Sequence, residues 1–402
     1  MAGKSKKISF GPGFLVTAAF IGPGTVTTCS IAGANFGYAL IFIIGFATVV
    51  TLILQWMTGR LSIVSKLDLG EALRKIPRNT LTKILFVVLI FSSITFGCAA
   101  YESGNIIGGA LGLEMITDFP RKYWVGLISI LAILILSTRK YKFVEKFLVF
   151  LVFIMSLSFL ITLVIIKPDL SQVVKGFIPS FPKNSLYIVL ALIGTTVVPY
   201  NLFLHSSAVK EKWKSISDLK KVNKDLIYAL FLGGFISASI IITSAVAFFY
   251  KGIPLKEGAQ LAYQLKPLFG DLATFFFGAG FFAAGLSSAI TAPYAASFAS
   301  SGILGWKNKR NSPGFTLVWL AVILTGFTVS CFKVNALAII VFAQVANGLV
   351  LPIASIFLLI VLNNRERMGK YMNSPIQNIL GIAIVIIVTI IGLWNILKFF
   401  IK

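Results

Sequence analysis

Four stretches of this chain, residues 38–57, 144–166, 226–249 and 377–397, are almost continuous runs of apolar side chains. Each reaches the roughly 20 residues that an α-helix needs to cross the hydrocarbon core of a bilayer. Lipid offers no partner to a backbone N–H or C=O, so such a segment must close its own hydrogen bonds as a helix. Composition agrees, since 57% of the 402 residues are hydrophobic and only 12% are charged, a balance foreign to soluble domains. The chain therefore reads as an all-α polytopic membrane protein. A pass along it predicts eleven spans, centred near residues 22, 48, 97, 130, 155, 198, 238, 285, 322, 348 and 387.

A formal net charge of +23 raises nucleic-acid binding as a hypothesis, but the basic residues sit in alternate loops. Lys4, Lys6 and Lys7 precede the first span, and Arg60, Lys66, Arg74, Lys75 and Arg78 follow the second. Arg139, Lys140 and Lys142 follow the fourth, and Lys210, Lys212, Lys214, Lys220, Lys221 and Lys224 the sixth. Lys307, Lys309 and Arg310 follow the eighth, and Arg365, Arg367 and Lys370 the tenth. This is the positive-inside pattern. It predicts a protein of the plasma membrane whose partner is the lipid bilayer and not nucleic acid, with a cytoplasmic N-terminus and an extracytoplasmic C-terminus. The first span lacks a small-residue cleavage pattern and reads as retained, not as a signal peptide. Cys29, Cys98 and Cys331 are scattered without CxxC spacing and imply neither a disulfide framework nor a metal knuckle. Between spans two and three, "RLSIVSKLDLGEALRKI" predicts an amphipathic helix on the cytoplasmic membrane surface.

The first span is interrupted at "IGPGT", residues 21–25, and the sixth at "VVPYN", residues 197–201. Proline removes a backbone donor and clashes with the preceding turn, while glycine favours non-helical backbone. Two proline kinks that only tune packing would also produce such a pattern. Matched positions five spans apart, with polar residues at each, point instead to an inverted-repeat transporter whose substrate lies between two broken helices.

The residues around these breaks resemble a known family. "GPGFLVTAAFIGPGTVTTCSIAGANFGY" resembles the first span of Nramp divalent-metal transporters, and "KPDLSQVVKGFIPSFPKNSLYIVLALIGTTVVPYNLFLHSSAV" their fifth-to-sixth-span region. Similarity continues through "LDLGEALRKI", "NIIGGALGL", "KYKFVEKFLVFLV", "FFAAGLSSAITA" and "FAQVANGLVLPIA". The resemblance implies a single transmembrane domain of 5+5 inverted repeats, about 10–167 and 184–363, with helices 1 and 6 broken at the midplane and an eleventh helix at about 376–400. It also implies metal ligands that this chain lacks. The family has Asp-Pro-Gly-Asn at the first break, where this chain has Gly22, Pro23, Gly24 and Thr25. It has Met-Pro-His at the second, where this chain has Val198, Pro199 and Tyr200. Family glutamines of the eighth and tenth spans are matched by Leu286 and Val350. A divalent cation needs oxygen, nitrogen or sulfur ligands and usually an anionic group. The sequence therefore leads to the expectation that manganese and iron are not carried and that no metal occupies the family's site.

With the carboxylate gone, the dipoles of the broken helices remain. Each N-terminus after a break presents free N–H groups and roughly +0.5 of an elementary charge, a field suited to one small monovalent anion. Thr25, Thr27 and Thr28 could add hydroxyl donors at the first break, and Tyr200 and Asn201 at the second; helix capping is the competing explanation for the threonines. Carbonyls before Gly22 and Val198 would suit a ligand with a donor as well. Bicarbonate fits, and a metal-site-deficient branch similar to Nramp is associated with its transport. The expected function is thus secondary transport of an anionic substrate, bicarbonate foremost. An amino acid or other zwitterion, a divalent-metal or proton-coupled ion transporter with an atypical site, and a sensor that has lost transport stay open as alternatives.

Glu102 lies inside the third span and, in the resemblance, falls where the family has a proton-pathway aspartate; Asn105 replaces a nearby family glutamate. An ionisable group at this depth is a functional candidate, although a glutamate that only bridges helices would look the same. His205 matches a family histidine and could titrate near neutrality, or serve packing. Gln344 and Asn347 of the tenth span could line the path or link helices, and Ser287, Ser288 and Thr291 read as close-packing residues. No hydrolase nucleophile, phosphate loop or paired carboxylate is present, so neither an enzyme nor a cofactor is expected.

Overall fold

The computed structural model describes residues 11–76, 79–138, 142–306, 311–332 and 334–401. Of the basic residues that set the expected orientation, Lys4, Lys6, Lys7, Arg78, Arg139, Lys140, Lys307, Lys309 and Arg310 lie outside the described residues. Every regular element among the described residues is helical. The first half comprises α1 (Pro12–Phe20), α2 (Pro23–Phe36), α3 (Ile41–Ser65), α4 (Leu69–Arg74), α5 (Thr80–Thr117), α6 (Arg121–Thr138), α7 (Lys142–Ile166) and the short α8 (Leu170–Lys175). The second comprises α9 (Leu186–Thr196), α10 (Pro199–Lys212), α11 (Leu219–Ala247), α12 (Lys266–Phe269), α13 (Ala273–Leu304), α14 (Pro313–Ser330) and α15 (Ala336–Leu362). The short α16 (Arg365–Met368) and the long α17 (Pro375–Ile401) close the chain.

Ten helical segments among the described residues are long and apolar enough to cross a membrane. The remaining expected span is α1 plus α2, divided by its break into two pieces too short to cross alone. Outward faces are apolar: Val164 on α7 is 74% exposed and Ile390 on α17 is 61% exposed, which is stable only against hydrocarbon. The helix ends have local causes. Asn79 accepts from the Thr82 amide at 2.8 Å to start α5, Asn335 accepts from the Leu337 amide at 2.9 Å to start α15, and prolines open α1, α2, α10 and α14, where their missing donor costs nothing.

The tightest seam joins α5 to α13. A Cβ added at Gly285 would fall against the backbone of Gly109, and one added at Gly112 would lie 2.5 Å from both the Gly278 carbonyl oxygen and the Phe282 nitrogen. Such stripes of small residues let two backbones approach in lipid, where apolar burial does not drive association. The seam fixes α5, which carries Tyr101, Glu102 and Asn105.

Contacts gather several expected cytoplasmic loops at one end of the bundle. Lys210 meets Glu71 at 2.5 Å, Arg367 donates to the Lys75 carbonyl at 2.6 Å, and the Gly13 amide donates to Asp225 at 2.6 Å. Arg60 donates to Gln377 at 2.8 Å and also to Asn373. The expected surface helix between spans two and three is corrected here. Its first part is the end of α3, which stops where Lys66 turns left-handed (φ 57°). Asp68 then caps α4 by accepting from the Glu71 amide at 2.9 Å. Leu69, Gly70, Ala72 and Leu73 are buried, and Gly70 lies against Ala299 and Ile303 of α13. Helical spacing marks a face to be covered; here protein covers it.

Replacing Gly285 with valine should lower the melting temperature of the detergent-solubilised protein, with overpacking of about 1–3 kcal/mol. Gly126→Ala, where nothing lies within 4 Å of the added carbon, should leave it unchanged in the same thermal assay.

Candidate functional site

The two breaks share one backbone design. At the first, Ile21 (φ −78°, ψ 81°) leaves the helix, Gly22 (φ −130°, ψ −170°) is extended, and Pro23 starts α2. At the second, Val197 (φ −102°, ψ 69°) leaves the helix, Val198 (φ −77°, ψ 121°) is extended, and Pro199 starts α10. Proline bars the helical conformation from the residue before it, which is why the turn opens at Gly22 and Val198. The Ile21 amide still donates to Thr17 at 3.1 Å and the Val197 amide to Ile193 at 2.8 Å. Each incoming half-helix therefore ends cleanly.

Three other helices close around these breaks. From α5, Tyr101 packs edge-to-face on Tyr200 with ring centroids 5.6 Å apart, and its Oη lies 3.9 Å from where a Cβ of Gly22 would stand. From α13, Ser288 Oγ lies 2.8 Å from that same point, and from α15 the amide of Gln344 occupies the space in front of Gly24. Pro23 rests on Gly108 of α5. The structure places Gly22, Pro23, Gly24 and Thr25 at the first break, with Tyr101 of α5 between Gly22 and Tyr200 and with Gln344 against Gly24, while Val198, Pro199 and Asn201 are buried at the second break. Close approach of Gln344 requires Gly24 to lack a side chain.

No side chain caps α2 or α10, so the threonines do not serve as N-caps. Thr25 Oγ1 instead meets Thr195 Oγ1 at 2.8 Å, and the buried hydroxyls of Thr27 and Thr28 have no hydrogen-bond partner. Buried polar atoms without partners also include Tyr101 Oη, Tyr200 Oη, Asn201 Oδ1 and Nδ2, Gln344 Oε1, Asn347 Nδ2 and Glu102 Oε1. Asn347 Oδ1 stands 3.6 Å from the Cβ position of Gly97 on α5. Glu102 accepts from Asn105 Nδ2 at 3.2 Å and packs its Cγ against Gly326 of α14. His205 lies on another flank, its Nδ1 3.2 Å from Thr58 Oγ1 of α3 and its Nε2 without a partner. The sequence missed Tyr101 and Thr195 and assigned Ser288 to packing alone. Tyr101 could have been found beside Glu102 on its helix; no local signal joins Thr195 to a residue 170 positions away.

The sign of the buried charge is informative. Among the described residues the buried Asp, Glu, Lys and Arg side chains are Arg60, Asp68 and Glu102. Arg60 is held by Gln377 and Asn373 at the bundle end, and Asp68 caps α4. The carboxyl of Glu102 is on α5, next along the chain from Tyr101, and packs toward α14 at Gly326.

The sequence profile described as "Natural resistance-associated macrophage protein-like" matches residues 13–398. The chain belongs to the Nramp family. A relative from Nostoc sp., named "Divalent metal cation transporter MntH", is 29% identical over 403 residues, covering 96% of this chain and 90% of its own length. A manganese transporter of Eremococcus coleocola superposes with a TM-score of 0.78 at 23% identity, covering 98% of this chain and 89% of its own. MhsT, solved with L-phenylalanine, superposes with a TM-score of 0.61 at 14% identity, covering 98% and 99%. These structural likenesses show the fold alone: a multi-pass helical protein of the inverted-repeat architecture with helices 1 and 6 broken.

The anion expectation, bicarbonate included, is corrected by these findings, because Nramp relatives spanning nearly the whole chain are named divalent metal cation transporters. The expected partners, a small anionic substrate and a site without metal, fall with it. The breaks themselves supply a physical reason. An N-terminal dipole favours an anion only if its surroundings agree, and here proline has already taken one N–H from each half-helix. The α5 helix that brings Tyr101 to the first break also carries the one buried glutamate among the described residues, and the unpartnered amide oxygens of Asn201 and Gln344 can only accept.

Gly24→Ala should displace the flexible amide of Gln344 with little effect on melting temperature, yet reduce substrate flux in reconstituted vesicles. Unchanged flux would remove Gln344 from the site.

Proposed function

We propose that this Nramp chain is a secondary transporter of divalent metal cations working by alternating access, with the ion held between the breaks largely by neutral oxygens. The observation that carries it is the set of buried amide and hydroxyl oxygens without partners on the second halves of the broken helices and on α15, at Thr27, Thr28, Asn201 and Gln344, with the Gln344 amide against Gly24 and one buried carboxyl, Glu102, on the α5 helix that brings Tyr101 to the first break. The names of the relatives point the same way. Among the described residues no three His, Cys, Asp or Glu side chains converge as a metal site, and Gly22, Thr25 and Val198 stand where the family resemblance implies aspartate, asparagine and methionine. A cation at these breaks would therefore keep part of its water shell, as hard cations with few protein ligands do. Oxygen donors without sulfur suit manganese or magnesium better than soft metals.

In this scheme Gly22, Pro23, Gly24, Thr25, Thr28, Val198, Pro199, Tyr200 and Asn201 form the substrate site. Gln344 and Asn347 line the path, and Glu102, Asn105 and His205 serve charge balance or proton coupling. The two repeats, residues 10–167 and 184–363, rock about that site, with residues 376–400 as an added helix. The charge pattern supports a plasma-membrane protein with a cytoplasmic N-terminus.

Proteoliposomes should take up manganese saturably, with magnesium competing, and Glu102→Gln should reduce uptake at least about tenfold by leaving the cation's charge without a buried counterpart. Absence of saturable manganese flux in a correctly folded preparation would overturn the assignment.

A further inference from the structure

The last turn of α9 faces three neighbours with three consecutive residues. Gly194 abuts the α15 backbone, where an added Cβ would lie 2.6 Å from the Gly348 nitrogen. Thr196 offers its carbonyl to Thr51 Oγ1 of α3 at 3.3 Å. Between them, Thr195 is wholly buried, and its hydroxyl meets that of Thr25 on the first turn of α2 at 2.8 Å. Successive helical residues point about 100° apart, so α9 is wedged between α15 and α3 while its third direction is spent on the other break.

The Thr25–Thr195 contact thus joins one broken helix to the other, in the last turn before one break and the first turn after the other. The breaks cannot separate while it holds. A hydroxyl–hydroxyl bond has a small net strength, so it can be exchanged when the repeats move. Valine matches threonine in shape and would keep the packing while deleting the bond; serine would keep the bond.

We propose that Thr25 and Thr195 form a positioning clamp between the two repeats, which sets the separation of the breaks for the ion and opens during the transport cycle. The placement of an ion there rests on the divalent-cation reading above; the clamp itself does not. Cys29 provides an independent reporter. It lies one turn beyond Thr25 on the same face of α2 and is fully buried.

The test combines alkylation of Cys29, followed by mass spectrometry to separate it from Cys98 and Cys331, with manganese uptake. Thr195→Val and Thr25→Val should each speed Cys29 labelling several-fold, Thr195→Ser should label as the natural protein does, and the double valine variant should equal either single one. In vesicles the valine variants should raise the manganese KM about five- to tenfold, the loss of one hydrogen bond, with serine restoring it. Unchanged Cys29 labelling in Thr195→Val, or an equal rise in Thr195→Ser, would overturn the clamp. An unchanged KM would overturn its positioning role. Failure of the natural protein to carry manganese would defeat the substrate assignment, while Cys29 labelling would still decide the clamp.

Discussion

A proline in a membrane helix leaves a backbone carbonyl without its donor and forces the preceding residue out of helical geometry, and lipid cannot repair either defect. Pro23 and Pro199 impose this condition twice. Everything around them follows from the need to shelter open backbone within protein. Three helices, α5, α13 and α15, enclose the breaks with Tyr101, Ser288 and Gln344. The glycine seam between α5 and α13 brings two of these helices as close as backbones allow. The outer helices then need only present apolar faces to lipid, as α7 and α17 do.

The shelter is polar but almost uncharged. Leaving buried oxygens without partners is costly in a protein that binds nothing, so those of Thr27, Thr28, Asn201 and Gln344, on the broken helices and on α15, argue for a ligand. Glu102 on α5 is the buried carboxyl of the same helix that supplies Tyr101. A fully dehydrated divalent ion would need more compensating charge than Glu102 offers, whereas an ion with part of its water shell needs mainly lone pairs of suitable direction. That is a weaker and more exchangeable site than one built from several charged ligands, and exchange is what a transporter requires.

Much of the fold was legible in the sequence because lipid makes local rules decisive. Apolar runs, proline punctuation and alternating basic loops each report on one segment at a time, and all eleven expected centres fall within a helix or at a break. The helix of residues 69–74 shows the limit of such rules: its apolar spacing led to the expectation of a helix on the membrane surface, whereas tertiary contacts with α13 bury that face in protein. The two helix breaks were legible in the sequence, and the anion chemistry read from them was overturned. Gly22 and Val198 invited attention to exposed backbone N–H groups, while Tyr101, Ser288 and Thr195 arrive from distant positions that no spacing in the sequence connects. Charge preference was judged from two helix dipoles alone, with Glu102 considered only for a proton pathway.

The breaks also make the two halves of the molecule interdependent. Each half-helix that ends at a break is rigid up to Ile21 or Val197, and each that begins after one restarts at a proline with a fixed φ. Motion is thereby confined to two short extended links, Gly22 and Val198. Glycine at one link and a β-branched residue at the other make them unequal, since Gly22 can sample backbone that Val198 cannot.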